Sequence, residues 1–384
     1  MKILHVTPTY VPAWRYGGPI VSVHGLCRAL VRRGHQVSVY TTTVDGDAEL
    51  SVPVASAQDV DGVAVSYFRC DGPRRLYWSS GLRRALAGCV RSFQIVHAHA
   101  CFLLPPTWAA RSAAAADVPY VFSPRGMLVP ELIAARSGWI KRAWIRGFDA
   151  RTLREAASVH VTSEREQADL LRVLPSVSRF ALVANGVDRP EQTPDRGNRS
   201  DGLRVLCLGR INWKKGIDLA IRAIAQVPSA SLRLVGNDEE NLRPELESLA
   251  RSLGVTDRLE WSGPLYGHEK DKAYAEADVL LMPSISENFG NSALEAMAAG
   301  VPVVTTPEVG ASKLVSEADA GLVVERSLSS VVSALKKLAE DSELRAAMGS
   351  AGRRAAMAYS WDAQAALMES VYEAAIAERS RSAA

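Results

Sequence analysis

The chain has 384 residues, 47% hydrophobic and 23% charged, which is long for one hydrophobic core and comfortable for two. Its net charge of +3 is uneven: 23 basic against 14 acidic residues in 1–190, then 22 against 28 in 191–384, so the first half suits an anionic partner. Five scattered cysteines without Cys-x-x-Cys spacing argue against a disulfide framework or a zinc site, and no segment approaches the ~20 apolar residues that cross a bilayer.

Met1 to Val6 reads as a strand rather than a secretory signal, whose apolar run is longer, and the scattered, odd-numbered cysteines predict a reducing cytoplasm. Further strands are expected at 37–42, 63–69, 95–99, 120–122, 159–162 and 180–183. Helices are expected near 20–33, 82–92, 106–115, 139–155 and 164–171. This alternation predicts an α/β unit with a doubly wound parallel sheet. Gly17-Gly18, after the first strand, lets backbone approach a ligand closely, yet no Gly-x-Gly-x-x-Gly follows that strand, which argues against a dinucleotide fingerprint. His97 and His99 are two apart on a strand and share a face; packing or hydrogen bonding explains them better than a metal site, which lacks further ligands nearby. Trp139 to Arg154 mixes Trp, Ile and Phe with Lys and Arg. It fits either a basic amphipathic helix on an anionic membrane or a helix packed on the sheet. Arg74 to Trp78 with Arg83-Arg84 is a second basic, aromatic segment. Nothing suggests nucleic-acid binding.

The polar, Pro- and Gly-containing stretch 189–202 reads as a linker. Beyond it strands are expected at 203–208, 232–235, 259–261, 279–282, 301–305 and 322–324, with an Ala-rich helical tail over about 329–379. Two constellations stand at strand ends. The strand 203–208 runs into Gly209-Arg210-Ile211-Asn212-Trp213-Lys214-Lys215-Gly216, placing Arg210 and Lys215 at its carboxyl end. The strand 279–282 runs into Pro283-Ser284-Ile285-Ser286-Glu287-Asn288-Phe289-Gly290-Asn291-Ser292, and a helix carrying Glu295 follows. Ligands of open α/β sheets bind at carboxyl strand ends, and a helix start offers backbone N–H groups to an anion. Carboxylates on either side accept hydrogen bonds from hydroxyls, and the cations stabilise charge on a leaving phosphate group. The set suits a diphosphate with a hydroxyl-rich ring at each end, a nucleotide sugar.

Arg210, Lys215-Gly216 and Glu287-x7-Glu295, followed by Ala298-Ala299-Gly300-Val301-Pro302-Val303-Val304, resemble the retaining glycosyltransferases of family 4. Gly17-Gly18-Pro19, Asn185-Gly186-Val187-Asp188 and Ser360-Trp361 extend the resemblance along most of the chain. The resemblance implies a GT-B fold: two Rossmann-like domains (1–188 and 203–360) facing a cleft, joined by a linker (189–202), with a last helix (361–384) crossing back onto the first domain. It implies hexosyl transfer from a UDP- or GDP-sugar to an acceptor hydroxyl, with no metal or other cofactor. A lipid-linked glycan of polysaccharide or lipopolysaccharide assembly, at the inner face of the plasma membrane, fits the basic first half. By resemblance, Arg210, Lys215 and Glu287 serve catalysis, Glu287 on donor-sugar hydroxyls and Glu295 on the nucleotide ribose. Gly17, Gly18 and the backbone of Asn288, Phe289, Gly290, Asn291, Ser292 and Leu294 bind the donor, and the loop with Leu265 meets the base. Lys215 rather than Lys214 matches, because the family lysine directly precedes the glycine. Arg125 stands where many members carry a histidine; it and His99 are the acceptor-side candidates. Rival readings are a sugar-nucleotide epimerase, a nicotinamide dehydrogenase and a non-catalytic nucleotide-sugar binder.

Overall fold

The computed structural model describes residues 1–135, 138–188 and 202–383, and the chain forms two compact units. One comprises Met1–Gly186 with the segment from Trp361; the other is Val187–Ser360. Apart from Gly202, the stretch expected as a linker lies outside the described residues.

In the first unit eight strands lie in the order Phe180–Leu182, Ser158–Val161, Tyr120–Ser123, Ile95–His99, Lys2–Val6, Gln36–Thr42, Val63–Phe68, Ala57–Val60. Alternation along each strand sorts side chains onto two buried faces. Ile3, Val39, Val65, Ile95 and Val121 pack under the helices Gly18–Arg32 and Trp361–Ala383, whereas Leu4, Val6, Val96, Phe122 and Val159 pack under Ser80–Cys89 and Leu104–Ala115. The sheet is not wholly parallel as expected. Ala57–Val60 runs antiparallel to Val63–Phe68 across an Asp61-Gly62 turn whose φ angles, 54° and 81°, are both positive. Asp-Gly between extended segments is a strong hairpin signal that the reading of alternating helices and strands passed over.

The last helix presents Ala365, Met368, Tyr372 and Ala375 at helical spacing to the first unit's core. Trp361 opens it and fills a slot that exists because two neighbours lack side chains. A Cβ on Gly25 or Gly186 would lie 2.3 or 2.6 Å from the indole. The expected helical tail comprises Leu328–Glu340, Ser342–Ala356 and Trp361–Ala383, the second started by Asp341 accepting the Leu344 N–H at 2.8 Å and the last opening at Trp361 as expected. The expected helix 139–155 is likewise divided. A π-turn at Ile145–Asp149 separates Gly138–Trp144 from Ala150–Glu155.

In the second unit six parallel strands lie in the order Leu259–Gly263, Ala230–Val235, Leu203–Leu208, Val279–Met282, Val303–Thr305, Gly321–Val323. The order reverses between Leu203–Leu208 and Val279–Met282. The carboxyl ends of those two strands therefore flank the crevice where such sheets take ligands.

Candidate active site

Both constellations singled out in the sequence leave the second unit's sheet at this crevice. Gly209, at φ +144°, ends the strand Leu203–Leu208, and a Cβ there would stand 2.7 Å from the Lys215 Nζ. The lysine thus lies over bare backbone. Asn212 caps the short 3-10 turn Trp213–Lys215 through the Lys214 N–H, at 3.1 Å. Gly216 then takes the left-handed conformation, where a Cβ would press within 2.3 Å of the Pro283 carbonyl. The Ile285 N–H donates to the Lys214 carbonyl at 2.6 Å and ties the two loops together. As a result Lys215 Nζ meets Glu287 Oε1 at 2.6 Å, each side chain about one-fifth exposed.

Glu287 is fixed from behind. Its N–H donates to the Glu308 carbonyl and its own carbonyl accepts from the Gly310 N–H, both at 3.1 Å. Phe289 is buried, and Gly290, at φ +91°, starts the helix Asn291–Ala298. No side chain caps this helix and no acid stands in its first turn. Ser292 and Leu294 turn their side chains into the core, so these positions offer a ligand backbone only. Such a helix start favours an anion through its N–H groups and dipole.

Arg210 is not brought to the Lys215–Glu287 pair. Its Nη1 lies 2.5 Å from Glu239 Oε1, and Asn212 Nδ2 donates to the other Glu239 oxygen at 3.1 Å. It still charges the same loop: burial first, and the Arg210 charge second, lower the Lys214 pKa.

Glu295 lies in the second turn of its helix rather than the first. Lys270 Nζ reaches its Oε1 at 3.0 Å, and the Tyr274 hydroxyl donates to its Oε2 at 2.7 Å. Both donors sit on the helix Gly267–Glu276, one turn apart and hence on one face. Sequence reasoning missed both, along with Glu239. Leu265 is partly buried in the loop leading to that helix.

The remaining candidates lie in the first unit. Gly17, at φ +63°, joins the 3-10 turn Trp14–Tyr16 to the helix Gly18–Arg32, and Gly18 is the first residue of that helix. Arg125 follows the strand Tyr120–Ser123 at φ +57°, an uncommon conformation for a residue with a side chain. The turn is held by Glu166, whose Oε1 accepts the Gly126 N–H at 2.7 Å. Arg125 reaches inward, its Nη2 3.1 Å from His99 Nδ1.

His99 belongs to a buried network that also contains His5, His97 and His160, all at 3% exposure or less. His160 Nε2 lies 2.9 Å from the Val183 carbonyl, which can only accept, so His160 is protonated on Nε2. The rest follows in one direction: Ser123 donates to His160 Nδ1 at 2.8 Å, His97 Nε2 donates to Ser123 at 2.7 Å, and the Tyr372 hydroxyl donates to His97 Nδ1 at 2.6 Å. In a second branch Arg125 donates to His99 Nδ1, and His99 Nε2 donates to His5 Nδ1 at 3.0 Å. Every imidazole is neutral. Burial, with the Arg125 charge second, pushes His5 and His160 down to about 3, and burial likewise holds His97 and His99 well below their usual value.

His5 supplies the third histidine absent from the sequence argument: His5, His97 and His99 each bring a ring nitrogen within 4.8 Å of the others. The trio nonetheless suits a metal poorly. Both nitrogens of His97 are hydrogen-bonded, His5 and His99 bond each other, and the Arg125 guanidinium sits on the remaining His99 nitrogen, where a divalent ion would meet a cation.

Comparison with known proteins decides the family. The model for Glycosyltransferase Family 4 matches residues 16–190, and that for Glycosyl transferases group 1 matches residues 188–355. The D-inositol 3-phosphate glycosyltransferase of Xylanimonas cellulosilytica is 30% identical over 410 residues, covering 99% of this chain and 97% of the relative. The chain is a group 1 glycosyltransferase. Solved glycosyltransferases share its fold. Sucrose-phosphate synthase from Thermosynechococcus elongatus superposes with a TM-score of 0.80 at 22% identity, over 98% of this chain and all of that one. Anabaena HepE in complex with UDP-glucose superposes with a TM-score of 0.74 at 19% identity, over 96% and 99%. The two Rossmann-like units are therefore those of the GT-B fold, and the glycosyltransferase is an enzyme of the hexosyltransferase class.

Proposed function

We propose that this glycosyltransferase moves a sugar from a UDP- or GDP-linked donor to an acceptor hydroxyl with retention of anomeric configuration. The observation that carries the reading is the Lys215–Glu287 pair at the ends of the two strands flanking the crevice, beside a helix start that no side chain caps. In this reading Glu295 accepts hydrogen bonds from the ribose hydroxyls. The diphosphate lies against the start of Asn291–Ala298, and Glu287 holds hydroxyls of the donor sugar. Lys215 shifts from Glu287 towards the diphosphate as negative charge develops there, and Arg210 exchanges Glu239 for phosphate oxygens. The sugar C1–O bond to the diphosphate breaks with the electron pair leaving on oxygen. The leaving oxygen takes the proton of the acceptor hydroxyl, and the new C1–O bond forms on the same face. No side chain needs to act as a covalent nucleophile. The positive field comes from Arg210, Lys215 and the helix start, and no metal or other cofactor enters this scheme.

For the acceptor, the basic first half and Trp139, 76% exposed beside Ile140, Lys141 and Arg142, support a lipid-linked glycan of polysaccharide or lipopolysaccharide assembly met at an anionic membrane face. A second reading rests on the Xylanimonas relative's name and on Arg125: a soluble phosphorylated polyol whose phosphate the guanidinium grips. Incubating UDP- and GDP-sugars with a lipid-diphosphate glycan and, separately, with D-inositol 3-phosphate tests both, with the product anomer read by NMR. A retained product with either acceptor supports the scheme. An inverted product, or an altered donor sugar without transfer, contradicts it and favours an epimerase or another mechanism.

A further inference from the structure

Glu295 is held at both ends of its carboxylate by a single helix face. Lys270 occupies Oε1 and Tyr274 occupies Oε2, and among the described residues no other side chain reaches either oxygen. Tyr274 is 2% exposed, and its hydroxyl gives its one proton to Glu295 at 2.7 Å, with the Ser292 carbonyl a more distant 3.4 Å away. Burial first, and the Glu295 charge second, push the Tyr274 phenol well up, so it remains an O–H donor. Burial opposes the charge on Lys270, but the Glu295 carboxylate, with Asp271 and Asp188 adding to it, raises the ammonium's pKa overall. A carboxylate has about four acceptor positions. Two are filled from the Gly267–Glu276 helix, and 18% of the Glu295 side chain stays exposed.

We propose that Tyr274 and Lys270 are positioning residues for donor recognition. By filling the inner acceptor position of each Glu295 oxygen, they leave two parallel outer positions, which match the two adjacent hydroxyls of a ribose. An unrestrained glutamate spreads over many rotamers, and freezing it costs side-chain entropy. Here the protein has fixed the carboxylate before the nucleotide arrives. The inference rests on the ribose role of Glu295 given above and adds the residues that make that role selective for ribose over a deoxy sugar.

The test is calorimetric titration of wild type, Tyr274→Phe and Lys270→Met with UDP, GDP and the 2′,3′-dideoxy counterpart of whichever binds. Wild type is expected to prefer the ribonucleotide at least roughly tenfold, as for a hydrogen bond to a charged group. In each variant that ratio should fall to about twofold while affinity for the dideoxy form holds. In turnover the loss should appear in the donor KM rather than in kcat. Two results overturn the proposal separately. A wild-type enzyme indifferent to the ribose hydroxyls removes the ribose role of Glu295 itself. A wild-type preference that survives in both variants, or affinity lost equally for both nucleotides, leaves that role standing and rejects positioning. Should Tyr274→Phe fold poorly by thermal unfolding, Lys270→Met carries the test alone.

Discussion

In the proposed scheme the chemistry turns on Lys215 and Glu287, and their 2.6 Å contact bears on what each would do. A lysine held by a carboxylate in the resting site is available to a phosphate only when the incoming charge outcompetes Glu287. Its contribution then grows as the leaving group becomes more negative, so it acts on turnover more than on binding. Lys215→Ala is expected to lower kcat roughly 10²-fold or more, the scale for removing one donor to developing charge, with a much smaller change in donor affinity; an unchanged kcat in steady-state assays would remove Lys215 from the mechanism. Glu295→Ala is expected instead to weaken nucleotide binding by roughly 1.5–3 kcal/mol, measured by titration, and binding within twofold of wild type would count against it. The placement of Lys215, Glu287 and Glu295 was legible in the sequence because each lies a fixed distance from a recognisable strand end or helix start. The partner of Arg210 was not legible, since Glu239 reaches it from the loop after a different strand. Tyr274 and Lys270 carried no signal either. Their meaning comes from a contact with a helix 21 to 25 residues away, and in sequence they read as one face of an ordinary polar helix.

At the scale of elements, the histidine network ties four strands of the first unit to the last helix. Register explains its origin: His5 lies beside His97 across adjacent parallel strands, and His99 beside Ser123. The shared face of His97 and His99 was readable from their spacing. The addition of His5, His160 and Tyr372 required the strand order, which one sequence does not contain. The network makes stability depend on pH with a definite sign. The folded-state pKa values are depressed below the ordinary 6.5, to about 3 for His5 and His160. The unfolded chain therefore binds more protons below pH 6.5. The stabilising contribution is complete above that pH and is lost as pH falls towards 3, at up to about 1.4 kcal/mol per pH unit for each histidine. Denaturant unfolding of the whole protein at pH 7.5 and pH 5 should show a marked loss at the lower pH, beyond what carboxylates alone give. Tyr372→Phe leaves His97 Nδ1 without its donor and is expected to cost roughly 1–3 kcal/mol. Equal stability at both pH values would mean the imidazoles are not buried neutral.

At the scale of the molecule, the division into two α/β units was legible because helix and strand periodicities alternate twice around a polar break. The antiparallel edge strand was not, since attention to alternation masked the Asp61-Gly62 turn. The basic, aromatic segments also resolve only in three dimensions. Trp78 packs edge-on against Trp108 at 5.3 Å, and Trp144 stacks on Phe148 at 4.6 Å, so those rings are half-buried against one another. Trp139 and Ile140 remain outside, 76% and 48% exposed. No described helix is long and apolar enough to cross a membrane; the proposed lipid contact is made through this exposed surface. Flotation with anionic liposomes at low salt is expected to recover wild-type protein and to lose it for Trp139→Ala; absence of wild-type flotation would end the membrane reading.

The most direct test of the nucleotide-sugar site is a thermal-unfolding panel with UDP, GDP, ADP and NAD, run on wild type and Glu295→Ala. A ligand at 100 times its dissociation constant stabilises the folded state by about 2.7 kcal/mol, a readily seen shift. The expected result is a shift with UDP or GDP, none with NAD, and loss of the shift in Glu295→Ala. A shift with NAD alone, or an undiminished nucleotide shift in the variant, would contradict the site built here from Lys215, Glu287 and Glu295.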